Sequence, residues 1–246
     1  MQYILLAAGK GQRLGMNVTN KCFVTVCGKT LLDYNLELIP LELISEIIIV
    51  VGYNSNYIEQ YVGENYKGIP VIYVHQEPLL GIAHAIKTAI PYIKEDFIFC
   101  LSDELHINPH VTAMRNFFLS SGADCVCGVV RDTIENIQKA YTIELDEKNN
   151  VSDLIEKPTK CFNNIKGTGI CIMKQSMLPI LNALKPNIIR GEFEMGNWIQ
   201  LGIDYGLVCK VFNVSDINFN INETTDLLAA EKYLNMINSI TKEDQL

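Results

Sequence analysis

The chain lacks the marks of several common architectures. It contains no Cys-x-x-Cys pair; its eight cysteines (Cys22, Cys27, Cys100, Cys125, Cys127, Cys161, Cys171 and Cys209) are dispersed. Most sit among apolar residues, where a reduced thiol packs as a small hydrophobe, so neither a disulfide framework nor a zinc site is expected. No apolar run reaches the length of a membrane-spanning helix, and no charged segment leads into a signal-type apolar stretch. A cytoplasmic protein without membrane attachment is therefore expected. Positive charge is also in deficit: 20 Lys and Arg against 28 Asp and Glu leave a net charge of −8, which argues against general affinity for nucleic acid and leaves room only for a local basic pocket. No repeat or low-complexity segment divides the 246 residues, and 48% hydrophobic with 20% charged residues suit a folded chain with a sizeable core.

Two nucleotide motifs are absent by single residues. A dinucleotide fingerprint starting at Gly9-x-Gly11 needs a third glycine where Leu14 stands, and no acidic ribose ligand follows the second strand. Before Gly28-Lys29-Thr30, the earlier glycine of a P-loop would fall at Phe23.

What is present is an apolar strand ending, Leu5-Leu6-Ala7-Ala8, that runs into the glycine-rich basic turn Gly9-Lys10-Gly11-Gln12-Arg13. Small residues allow close approach to the main chain, and paired glycines allow backbone N–H groups to converge on an anion. With Lys10, Arg13 and Lys21 at hand, a polyphosphate is the natural guest.

The rest of the chain alternates strand and helix patterns. After an extended piece at 21–26, Thr30 caps a helix to about Leu41. Then come a strand over 45–51, a helix over 54–64, a strand over 70–74, a helix over 82–93, a strand over 97–101, a helix over 109–121 and a strand over 125–130. This spacing predicts right-handed crossovers and a mainly parallel sheet with helices on both faces, a three-layer α/β sandwich of Rossmann-like type. The second half predicts a hairpin (141–146 and 150–155), a strand over 167–173, helices over 175–184 and 192–201, a strand over 207–213 and a last helix over 224–237. One domain over 1–246 is expected, with a nucleotide-binding half at 1–135 and an acceptor-binding half at 136–246. Ligands of such sheets bind at the carboxyl ends of strands, which singles out Gly9–Arg13, Gln76–Gly81 and Asp103-Glu104.

Asp103 ends an apolar strand facing the anion site, where a carboxylate suits Mg²⁺, a hard cation content with one or two protein oxygens plus phosphate oxygens. Asn220 and Asn222 lie on one face of an extended segment and offer a second oxygen. Such a site supports nucleotidyl transfer: an acceptor phosphate attacks the α-phosphorus of a nucleoside triphosphate and pyrophosphate leaves. The acceptor is already an anion, so no general base is needed.

The stretches Leu6-Ala7-Ala8-Gly9-x-Gly11-x-Arg13-Leu14, Lys21, Gly28-Lys29-Thr30-Leu31-Leu32-Asp33-Tyr34, Gln76-x-x-x-x-Gly81-Ile82-Ala83-His84-Ala85, Leu101-Ser102-Asp103-Glu104, Glu156-Lys157-Pro158 and Gly169-Ile170-Cys171-Ile172 together resemble the sugar-1-phosphate nucleotidylyltransferases, over nearly the whole chain. The resemblance implies a GT-A-like nucleotidyltransferase fold and an enzyme joining a nucleoside triphosphate to a sugar 1-phosphate with Mg²⁺. It implies that Leu6, Ala7, Ala8, Gly9 and Gly11 meet the nucleotide, that Gln76 and Gly81 read the base, and that Arg13 and Lys21 hold the phosphates. It further implies that Glu156, Lys157 and Gly169 meet the acceptor, and that Asp103 with Asn222 or Asn220 holds the metal. It leaves room for a homo-oligomer.

Three departures stand out, one being asparagine at the second metal position, a weaker charge partner than the family's usual aspartate. Asn20-Lys21 replaces the family's Pro-Lys, and Tyr141 falls where sugar enzymes commonly place a glycine against the sugar, so its ring is expected to fill hexose space. That opens an alternative, a CTP-dependent cytidylyltransferase on a small phosphorylated acceptor such as phosphocholine or a phosphonate. A non-catalytic nucleotide-binding regulator is a third reading, against which Arg13, Lys21, Asp103 and Lys157 stand together. His106 and His110 flank Pro109 without a further ligand. Trp198 and Phe193 read as core or pocket wall, and Asp132, Asp204 and Asp226 as solvated or capping carboxylates.

Overall fold

The computed structural model describes residues 1–9 and 20–243. The turn at 10–14, with Gly11 and Arg13, lies outside the described residues. The first half contributes β1 (Gln2–Leu6), β2 (Thr25–Val26), β3 (Lys29–Thr30), α1 (Leu31–Glu37), β4 (Glu46–Val51), α2 (Ser55–Val62), β5 (Asn65–Tyr66), β6 (Ile69–His75) and α3 (Ile82–Ala89). It continues with β7 (Phe97–Leu101), β8 (Glu104–Ile107), α4 (Val111–Ser121) and β9 (Cys125–Arg131). There follow α5 (Ile134–Gln138), β10 (Tyr141–Leu145), β11 (Val151–Glu156), β12 (Ile165–Met173), α6 (Met195–Asp204), β13 (Cys209–Asn213), β14 (Ile217–Asn220) and α7 (Thr224–Glu243).

One eight-stranded sheet runs through both halves in the order β13-β9-β12-β7-β1-β4-β6-β5. It is mainly parallel; β12 runs against both β7 and β9, and the short edge strand β5 against β6. The fold class is thus the expected mixed α/β sandwich. Strand alternation builds its two cores: Ile4, Leu6, Ile48 and Val50 point to the side covered by α3 and α6, whereas Tyr3, Leu5, Ile47 and Ile49 point to α1, α2 and α4. A smaller apolar cluster joins Leu105 and Ile107 of β8 to Leu227 and Ala230 of α7.

Local chemistry sets the boundaries. Thr30 Oγ1 accepts from Asp33 N at 3.0 Å and starts α1 as predicted. The segment expected to be extended at 21–26 instead opens with a 3₁₀ turn, Lys21–Phe23, because Asn20 Oδ1 accepts from Cys22 N at 3.2 Å. The helix expected at 175–184 is two 3₁₀ turns, Gln175–Met177 and Pro179–Asn182, since Pro179 has no N–H to continue an α-helix. The helix expected from Glu192 starts at Met195, with Glu194 extended as its N-cap. Asp132, expected to be solvated, is ion-paired at 2.5 Å with Lys166, which is buried. His106 is buried between Ser215 Oγ at 3.0 Å and Glu104 Oε2 at 3.2 Å, whereas His110 faces Asp216 at the surface.

Candidate active site

Parallel pairing sets Leu6 of β1 beside Leu101 of β7 and Val50 of β4. The chain therefore leaves β1 through Ala8 and Gly9 directly beside Ser102 and Asp103, which leave β7. Gln76 follows β6 on the other flank, its N–H donating to Val51 O at 2.8 Å. These strand ends form one wall of a cavity of about 490 Å³, in the range of small-molecule sites. The opposite wall comes from Glu156 and Lys157 at the end of β11, from Glu192, Phe193 and Glu194, and from Met195 at the start of α6.

At the centre, Lys21 is nearly buried and its ammonium donates to two oxygens, Asp103 Oδ2 at 2.6 Å and Asn222 Oδ1 at 2.8 Å. Three segments far apart in sequence meet in this bridge. β8 and β14 make it possible: they pair antiparallel with Glu104 opposite Asn220, and Ile221 N donates to Asp103 O at 2.9 Å. Asn222 is further held by its Nδ2, which donates to Asn220 Oδ1 at 2.7 Å, and by its N–H, which donates to Asp226 Oδ2 at 2.9 Å. Asn222 lines the cavity, and Asn220 orients it from β14.

Gly81 is needed where it stands. Its φ is +96°, and a Cβ there would lie 2.7 Å from Phe193 O. The close approach lets Ala83 N donate to Phe193 O at 3.0 Å, which ties the segment bearing Glu192 and Glu194 to the start of α3.

Across the cavity, burial and the neighbouring Glu194 push the Glu156 carboxyl up to about 7. Glu194 itself is buried, ion-paired with Arg190 and bonded by Asn187 Nδ2 at 3.0 Å. Lys157 has a φ of +46°, left-handed for a side-chain-bearing residue, with its N–H donating to Ala140 O at 2.7 Å. That turn carries the lysine into the cavity wall.

Of the sequence-predicted site residues, Leu6, Ala8, Gly9, Lys21, Gln76, Gly81, Asp103, Glu156, Lys157 and Asn222 line this one cavity. Ala7 does not; it is buried on the opposite face of the sheet. Gly169 lies under Leu101, with its N–H donating to Glu104 Oε2 at 2.8 Å. Tyr141 requires a correction. Its ring is buried in the core against Gly167, and its hydroxyl donates to Thr168 O at 3.1 Å, so it takes no room from the cavity. Glu192 and Glu194, which also line the cavity, were not foreseen, because their segment reads in sequence as the start of a helix.

A family model described as Nucleotidyl transferase matches residues 2–210. The chain belongs to the nucleotidyl transferase family. Relatives of this nucleotidyltransferase include UTP--glucose-1-phosphate uridylyltransferase AglF of Haloferax volcanii, 28% identical over 244 residues that cover 95% of this chain and 96% of the relative. The bifunctional protein GlmU of Methanococcus maripaludis is 30% identical over 96% of this chain but 55% of its own length. In fold, this nucleotidyltransferase is similar to a UDP-glucose pyrophosphorylase solved with UDP-glucose, at a TM-score of 0.85 and 19% identity over 96% of this chain and 98% of that one. It is also similar to the inositol-1-phosphate CTP transferase of T. maritima, at 0.76 and 20% over 94% and 96%. Among the described residues, no helix is long and apolar enough to cross a membrane.

Proposed function

We propose that this nucleotidyltransferase joins a nucleoside triphosphate to a sugar 1-phosphate, giving a nucleoside diphosphate sugar and pyrophosphate. The observation that carries the reading is the Lys21 ammonium held between Asp103 and Asn222, with Lys157 on the facing wall of the same cavity. One cation serves each substrate's phosphate, an arrangement a pure nucleotide binder does not need. An oxygen of the acceptor phosphate attacks the α-phosphorus, the bond from that phosphorus to the β-phosphate's bridging oxygen breaks, and pyrophosphate departs with the electron pair. Lys21 neutralises charge at the reacting phosphate, and Lys157 orients the acceptor phosphate in line. Glu156 bonds acceptor hydroxyls, donating when protonated and accepting when ionised.

Asp103 and Asn222 also suit Mg²⁺. One carboxylate and one carboxamide oxygen are the hard donors such an ion takes from protein, and phosphate oxygens would supply others. When bound, the ion would supply Lewis-acid charge neutralisation at the triphosphate.

With Tyr141 withdrawn into the core, its ring is no ground for a smaller acceptor and a hexose 1-phosphate is the leading reading; the fold likeness to an inositol-1-phosphate CTP transferase fits the cytidylyltransferase alternative. The test is pyrophosphate release from each common nucleoside triphosphate with glucose 1-phosphate and other sugar 1-phosphates, and with phosphocholine and phosphonates as alternatives. Turnover with sugar 1-phosphates is expected. Turnover with phosphocholine or phosphonates alone would replace the reading, and nucleotide binding without any turnover would point to a regulator.

A further inference from the structure

His84 is not assigned a role by the chemistry above, yet it touches a cavity residue directly. Gln76 Nε2 lies 3.0 Å from Gly81 O and 3.0 Å from His84 Nδ1. A carbonyl oxygen only accepts, so the nitrogen end of the Gln76 carboxamide must face Gly81; the reverse orientation would set two oxygens against each other. The second N–H of that nitrogen then points at His84 Nδ1, which must be the bare nitrogen of a neutral imidazole whose proton sits on Nε2. The ring is half-buried on α3 against Phe193, with ring centroids 6.0 Å apart, and burial together with the nearby Lys87 lowers its pKa, which keeps it neutral. Both Gln76 donors are thereby used. Its oxygen, Oε1, takes no hydrogen bond from the described residues, and Gln76 lines the cavity.

We propose that His84 is a positioning residue for base selection: by accepting from Gln76 it locks the carboxamide with its oxygen toward the nucleotide, so the protein selects a base whose ring nitrogen carries a proton. Uracil and thymine present such an N–H at position 3, whereas cytosine presents a bare nitrogen there, which would face an oxygen. Without an acceptor at His84, Gly81 O alone opposes the turn of the Gln76 amide while its second N–H is left unpaired, so turning the nitrogen outward costs less and the discrimination falls. The inference rests on the reading of Gln76 as the base-contacting residue.

The experiment measures Mg²⁺-dependent binding of UTP, TTP and CTP by calorimetry to five proteins: the wild type, Gln76→Ala, His84→Leu, His84→Phe and His84→Asn. His84→Phe keeps the ring against Phe193 without a nitrogen, and it serves if the leucine variant does not fold. His84→Asn puts a side-chain oxygen about where Nδ1 stands. The wild type is expected to prefer UTP or TTP over CTP by about tenfold or more, the scale of one lost hydrogen bond. Gln76→Ala and both acceptor-free variants should bring the ratio to within about threefold, and His84→Asn should restore it. A ratio that falls in Gln76→Ala but holds in His84→Leu and His84→Phe overturns the positioning role while leaving the base contact standing. A ratio that Gln76→Ala leaves unchanged overturns the base contact and the positioning role with it, as does wild-type preference for CTP.

Discussion

The Tyr141 ring occupies the space that a side chain at Gly167 would need: a Cβ built on Gly167 would lie 1.9 Å from Tyr141 Cζ. The two positions are size-complementary across the contact between β10 and β12. Gly167→Ala is expected to destabilise the protein by about 1–3 kcal/mol, the usual cost of overpacking, and Tyr141→Gly by about 3–5 kcal/mol through the void it leaves. Combining Tyr141→Gly with Gly167→Val should recover part of both losses. Urea unfolding checks the coupling, and strictly additive effects would show that the two side chains do not compete for one space. Acceptor KM should not change in Tyr141→Phe, because the ring lies outside the cavity.

The Lys21 ammonium lies between Asp103 and Asn222, so a metal ion held by those two oxygens, as proposed, would compete with it. Lys21→Met should lower turnover by about 10²-fold or more, as loss of a charge at the reacting phosphate does. The same variant should bind Mn²⁺ more tightly than the wild type in the absence of nucleotide, read by electron paramagnetic resonance. Equal or weaker Mn²⁺ binding would mean that those oxygens do not form the metal site.

Glu156 makes stability depend on pH. Its carboxyl is pushed up to about 7 in the native protein from an ordinary value of 4.5, so the unfolded chain surrenders the proton first. Below the ordinary value both states hold the proton and nothing is lost. Between that value and the native one the folded state binds more protons, so stability falls as pH rises and levels off above about 7. The full loss is at most about 3.5 kcal/mol at roughly 1.4 kcal/mol per pH unit. Glu156→Gln should flatten this slope; urea midpoints at pH 5, 6, 7 and 8 test it, and parallel slopes in both proteins would remove Glu156 as the cause.

Lys157 can be altered without upsetting the fold, because its φ of +46° is more comfortable for glycine. Lys157→Gly should be as stable as the wild type or more so, and more stable than Lys157→Ala by about 1 kcal/mol. Both should raise acceptor KM, since both remove the ammonium. Thermal unfolding beside kinetics separates the two effects; unchanged KM in both variants would take Lys157 out of the acceptor site.

The alternation of apolar strands with amphipathic helices made the parallel part of the sheet readable, and the strand-end rule located Gly9, Gln76 and Asp103. Short elements escaped: β8 and β14 have four residues each, too few for a period to emerge, yet they bring Asn222 to Asp103. Period two set Asn220 and Asn222 on one face, but only the end of β14 at Asn220 decides that Asn222 reaches the cavity. Tyr141 was misplaced because sequence position does not reveal that Gly167 vacates a hollow in the core for its ring.

β12 lies between β7 and β9 and runs against both. The middle of the sheet therefore stays open during synthesis until Met173 has left the ribosome. Until then β7 and β9 each hold an unpaired row of main-chain donors and acceptors, the template on which strands of other chains add. Pairings so distant in sequence make for slow folding, and expression at lower temperature, with chaperone assistance, should favour soluble protein over inclusion bodies.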